Sequence, residues 1–142
     1  MTTQTTGHRF PIRISPISQA LMIPFGVSRS RAFTQLADGK LHVRFGPMFD
    51  ERVPLEDIKK AEVAHWPRWA GVGPRTDFRG NVGLVGSYDN TVKLTLKEPL
   101  KVNLFVVPVT CRQLYLSMED AEGFLHEIRE ARTAQREHAK AA

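Results

Sequence analysis

Between Phe10 and Leu116 the apolar residues of this chain recur at every second position, in short runs broken by Gly, Pro or Asp. After Ser117 they recur at every third and fourth. A period of two belongs to a β-strand with one buried face, and a period of three and four to an amphipathic helix. A chain with one such switch near its end is expected to be mainly β, with a single helix at the C-terminus.

The runs can be placed individually. In "RFPIRI", Phe10, Ile12 and Ile14 alternate with Pro11 and Arg13, and the proline suggests a strand start or an edge. Asp38-Gly39 separates "RAFTQLA" from "LHVRFG" and is a hairpin turn signal. Gly46-Pro47 ends the second of these strands, and "MFDERVPL" reads as its antiparallel partner. Leu55 to Ile58 is expected to form a short turn before a strand carrying Ala61, Val63 and His65. "TVKLTL" is the clearest strand, with Val92, Leu94 and Leu96 on one face; "EPLK" is expected to turn. "VNLFVVPV" and "CRQLYLS" then read as two further strands. Ser117, with Asp120 three residues on, reads as the helix start, and Phe124, Leu125 and Ile128 form its apolar stripe. Gly123 inside that helix implies a close neighbour. Beyond Ala131 the apolar face is lost, which predicts fraying.

The sum is a small, bent antiparallel barrel or sandwich of about seven strands with one C-terminal amphipathic helix. No repeat of constant period and no linker divides the 142 residues. The expected organisation is a loose tail over residues 1–8, a single domain over 9–132 and a frayed tail over 133–142. A chain of this length can bury a real core.

The formal charge of +5 suggests a basic surface, which favours nucleic acid, anionic lipid or acidic proteins as partners. The basic residues are spread along the chain, which weakens that inference. A single cysteine, Cys111, excludes an intramolecular disulfide and a cysteine-built zinc site, and fits a reducing, cytoplasmic location. The N-terminal residues lack the apolar core of a signal peptide, and the longest apolar run, Leu104 to Val109, is too short to span a bilayer as a helix.

The most unusual segment is Trp66 to Asn90, "WPRWAGVGPRTDFRGNVGLVGSYDN". Gly71 and Gly73 begin a dinucleotide-type fingerprint, but Thr76 stands where a third glycine is needed, and a strand rather than a helix follows. No Walker sequence is present. Gly80, Gly83 and Gly86 fit bends or close backbone approaches in strands better than a phosphate loop. Trp66, Arg68, Trp69, Arg75 and Arg79 interleave guanidinium groups with aromatic rings, a pattern that can hold phosphate, carboxylate or a stacked base. The alternative is that the tryptophans pack inward while the arginines reach water and pair with Asp77 or Asp89. Any ligand site is expected here, with the direction of these side chains left open by the sequence.

No catalytic constellation emerges. His8, His42, His65, His126 and His138 form no metal-binding spacing, and neither a metal nor a cofactor is expected. His42 falls on the polar face of its strand and reads as exposed. Cys111 reads as a buried structural thiol. Asp50-Glu51 and Glu56-Asp57 are adjacent pairs, which point to opposite faces of a strand and cannot share an acid–base site.

Short antiparallel strands running into one amphipathic helix, with "LYLSMEDAEGFLHEI" joining the last strand to it, resemble the bacterial pleckstrin-homology-like (PH-like) domain. The resemblance covers about Phe10 to Arg132 and is one of architecture. The stretch "GVGPRTDFRGNVGLVGSYDNTVKLTL" is also similar to a segment of small uncharacterised actinobacterial proteins, and that likeness implies no function. The PH-like resemblance implies a bent seven-stranded barrel with the helix plugging one end and ligands bound at loops or along a strand edge. Lipid-binding members use a basic patch in the first inter-strand loop; the corresponding region here is "SRSRAF", with Arg29 and Arg31, and no phosphoinositide site is carried over.

Three functions are therefore weighed. The leading one is a non-catalytic binding or scaffold module that engages a protein partner through a strand edge or loop surface. The second is electrostatic binding of anionic lipid or nucleic acid through the 66–79 segment. The third is a small-molecule carrier or enzyme with its pocket in the barrel mouth. Homo-oligomerisation is a further expectation for short strands with open edges.

Overall fold

A computed structural model describes residues 6–15, 32–65, 73–76, 79–86, 90–104 and 106–141. At the predicted hairpin, Asp38 and Gly39 both adopt positive φ (53° and 74°), as a tight two-residue turn between strands requires. That turn joins β2 (Ala32–Ala37) to β3 (Lys40–Phe45), paired in continuous antiparallel register from Ala32 opposite Phe45 to Ala37 opposite Lys40. β1 (Thr6–Pro11) pairs with β2, and β4 (Phe49–Pro54) with β3, which completes a four-stranded antiparallel meander. β1 begins at Thr6, within the stretch expected to be a tail.

A 3₁₀ turn at Leu55–Asp57 follows, where the expected turn lies, and leads into β5 (Ile58–Val63). β6 (Gly73–Thr76), β7 (Asn81–Val85), β8 (Thr91–Leu104) and β9 (Val107–Ser117) complete a five-stranded sheet in the order β5-β8-β9-β7-β6. Without the β6–β7 hairpin, β5, β8 and β9 form a second antiparallel meander. The hairpin is set beside it, with β7 parallel to β9. The described strands are thus nine in two sheets, a sandwich rather than a closed barrel, and one pairing departs from the expected antiparallel pattern.

The two sheets are tied together beyond the end of β1. Ile12 bridges Met118, and Ile14 bridges Gly86. Ser117 is fully buried at this junction: its hydroxyl donates to the Arg13 carbonyl at 2.8 Å and accepts from the Gly86 N–H at 2.9 Å. A Cβ on Gly86 would lie 2.7 Å from the Arg13 carbonyl oxygen, so glycine here permits a close approach of two backbones. Ser117 therefore joins strands and does not cap the helix.

The cap is Asp120. Its Oδ1 accepts the Gly123 N–H at 3.0 Å, and its carbonyl accepts the Phe124 N–H at 3.0 Å. The neighbour implied by Gly123 is that same carboxylate, which a Cβ at 123 would strike. The helix, α1 (Ala121–Ala141), runs well past Ala131 instead of fraying. Alanine, arginine, glutamine, glutamate and lysine dominate its second half and favour helix without an apolar face. Phe124, Leu125 and Ile128 are buried, and Phe124 meets Phe10 edge-on with ring centroids 5.7 Å apart. Full burial of an aromatic ring of this size contributes about 2–3 kcal/mol. The helix thereby closes the open side between β1 and β5. Among the described residues no helix is long and apolar enough to cross a membrane.

Candidate functional site

The five residues singled out from the sequence are only partly placed. Trp66, Arg68 and Trp69 lie outside the described residues, as do Arg29 and Arg31. Arg75 belongs to β6, opposite Gly83, and its side chain is outside what is described. Arg79 is exposed beside Gly80 at the start of β7. Gly80, at φ 107°, turns its carbonyl toward β9, where it accepts the N–H groups of Arg112 and Gln113. Gly80 immediately precedes β7, Gly83 lies within it and Gly86 directly follows it, and the next described element is β8.

The structure draws attention instead to the β8–β9 hairpin. "EPLK" does not turn the chain: β8 continues through it for 14 residues, with an irregularity in register between Thr95 and Leu100. The reversal comes inside "VNLFVVPV", where Leu104 pairs with Val107. Val106 carries it with a φ of 63°, a left-handed conformation costly for a β-branched residue, roughly 1–2 kcal/mol. No Gly, Asn or Pro marks this turn, and a run of apolar residues without turn chemistry reads as strand. That is why sequence reasoning missed it. The inner face of this arm is anchored by Val102, Leu104, Val109 and Cys111, all buried. Its tip is not: Val106 is 90% exposed and Val107 46%.

The edges of the second sheet are treated unequally. On β5 the outward carbonyls of Ala61 and Lys59 accept guanidinium N–H groups of Arg129 (2.9 Å) and Arg132 (2.7 Å) from α1. On the arm, the outward N–H of Asn103 donates to the Glu51 carboxylate at 2.9 Å. Asn103 faces Pro108 across the hairpin, so this is a pair whose backbone groups point away from each other, and alternation gives Thr110 the same outward direction. β7 pairs with β9 only from Gln113 onward. Among the described residues no strand lies beside Val107–Cys111 on the side away from β8.

Burial pushes the Cys111 thiol up to about 12, far from a reactive thiolate, and its Sγ contacts the Gln113 carbonyl at 3.7 Å. His42 is less open than its strand position suggests: its Nε2 meets Asp50 Oδ1 at 2.5 Å, and its ring stands edge-on to Phe33. Asp50 and Glu51 point apart as adjacent strand residues must, one to His42 and the other to Asn103. Among the described residues no three His, Cys, Asp or Glu side chains gather as a metal site. Comparison with protein-family models, with curated proteins and with solved structures finds no match to this chain.

Proposed function

We propose that this protein is a non-catalytic binding module of PH-like type, acting in the cytoplasm, whose β9 edge accepts an extended segment of a protein partner. The PH-like reading draws support from the order of elements. Strands β1 to β4 form one meander, β5, β8 and β9 a second, and α1 lies across the open side. β6 and β7 are then an insertion between strands of the second meander.

The observation that carries the binding reading is the contrast between edges. Strand addition needs outward N–H and C=O groups that the protein itself has not used. The helix arginines use two of the outward carbonyls of β5, which makes that edge a poorer acceptor. On β9 the Thr110 backbone faces outward beside an exposed, strained apolar tip, and strain of this kind persists where a segment's position matters. Pro108 lacks an N–H, so hydrogen bonds from the partner would centre on Thr110 and the Pro108 carbonyl.

A displayed library of random peptides, selected on the folded protein, provides the probe. Selected peptides are expected to slow hydrogen exchange at the Thr110 amide and to lose affinity for Thr110→Pro, which removes one outward donor without touching the ladder to β8. Peptides that protect β5 instead, or bind Thr110→Pro equally well, would refute this assignment.

A further inference from the structure

A second feature of the surface lies at the seam between α1, the 3₁₀ turn, β5 and β8. A cleft of about 400 Å³ opens there, within the size range of small-molecule sites. Leu55 and Ile58, only 5% and 1% exposed, lie beneath it, and its lining presents somewhat more apolar than polar surface. Its walls carry Lys59, Lys97, Arg132 and Gln135, with Glu56 as the single acid.

The setting of these groups is fixed by the fold. Arg132 is held in the wall by its bond to the Lys59 carbonyl at 2.7 Å. The Leu55 N–H donates to the Gly39 carbonyl at 3.0 Å, which pins the 3₁₀ turn to the β2–β3 hairpin. Lys97 falls in the register irregularity of β8, between Thr95 and Leu100, where a strand departs from its regular alternation and re-aims a side chain. Neither Lys59 nor Lys97 forms an ion pair among the described residues; Lys60 and Lys93, by contrast, both approach Glu62. Two lysines and an arginine thus line one cleft, against one carboxylate.

We propose that this cleft binds a phosphomonoester, its phosphoryl oxygens held by Lys59, Lys97 and Arg132 and its polar body lying along Gln135. A phosphoryl group offers three acceptor oxygens and close to two negative charges at neutral pH, which matches three cationic donors better than a carboxylate does. The ligand could be a soluble metabolite or the headgroup of a phosphomonoester lipid, since both present the same group. This site stands apart from the β9 edge and does not depend on the peptide-binding reading.

The test is a titration of the full chain with glycerol 3-phosphate, followed by amide chemical shifts. Saturable shifts are expected at residues 55–59, 97, 132 and 135. Lys59→Glu together with Lys97→Glu should weaken binding by about tenfold or more. Glu56→Gln should tighten it. Lys40→Glu with Lys101→Glu changes net charge equally at exposed positions outside the cleft and should have little effect. A parallel arm uses phosphatidylcholine vesicles containing phosphatidic acid. Binding to vesicles alone assigns the headgroup source, and binding to glycerol 3-phosphate assigns the soluble one. The proposal fails if neither probe binds saturably. It also fails if the two charge-reversed pairs weaken binding equally while both proteins keep the native circular-dichroism spectrum.

Discussion

Strand β5 and the β8–β9 arm belong to the same sheet, yet they present opposite solutions to having an edge. At β5 two long side chains from α1 reach over and bond the outward carbonyls of Lys59 and Ala61. At the arm Glu51 takes the Asn103 N–H on the β8 side, while on the β9 side, beside the exposed tip, no described strand is paired. Unpaired edges invite association with other chains, and proteins ordinarily cover or charge them. The proposed strand-edge binding rests on this contrast between the two edges.

The largest test of the contrast concerns the helix that closes β5. Phe124→Ala is expected to cost about 3–5 kcal/mol, since it removes a fully buried ring packed on Phe10. Equilibrium urea unfolding measures this, and a loss under 1 kcal/mol would mean the helix is not seated as described.

A pH experiment probes the anchoring of the arm. The Cys111 thiol rises from 9.0 to about 12 on folding, so below pH 9 both folded and unfolded forms are protonated and stability is unaffected. As pH rises from 9 toward 12 the unfolded thiol ionises first, and stability should fall by roughly 1.4 kcal/mol per pH unit. Cys111→Ala should lack that slope. Identical slopes in the two proteins would show that the arm's inner face is open to water.

Arg129→Ala with Arg132→Ala uncovers β5 at a stability cost of roughly 1–2 kcal/mol. The more telling result is expected in sedimentation, where the variant should self-associate through the bared edge while the parent does not change. Val106→Gly is the smallest effect: relief of the left-handed strain should stabilise the protein by about 1 kcal/mol. If it instead destabilises, the tip is held by contacts stronger than the strain.

Much of the first sheet was legible because each local signal agreed with the tertiary outcome. Asp38-Gly39 supplies a turn that tolerates positive φ, and the alternation of Leu41, Val43 and Phe45 tells which face is buried. The second sheet was read less well because its decisive events have no local signature. A valine turns the hairpin at 106, and a register slip lets one strand run through "EPLK". The candidate surfaces shared that difficulty. Lys59, Lys97 and Arg132 are far apart in the chain, and nothing in their spacing announces a common cleft.

Composition and period alone determined that this chain would be mainly β with one closing helix, because burial of apolar side chains imposes a period of two or of three and four. Tertiary structure alone decided three further points: that Ser117 joins strands while Asp120 caps the helix, that helix arginines bond two outward carbonyls of β5, and that no described strand lies beside Val107–Cys111 on the side away from β8. Each depends on which distant backbone groups come within about 3 Å of one another. Such distances are set by the packing of two sheets and a helix, and no local run of residues encodes them.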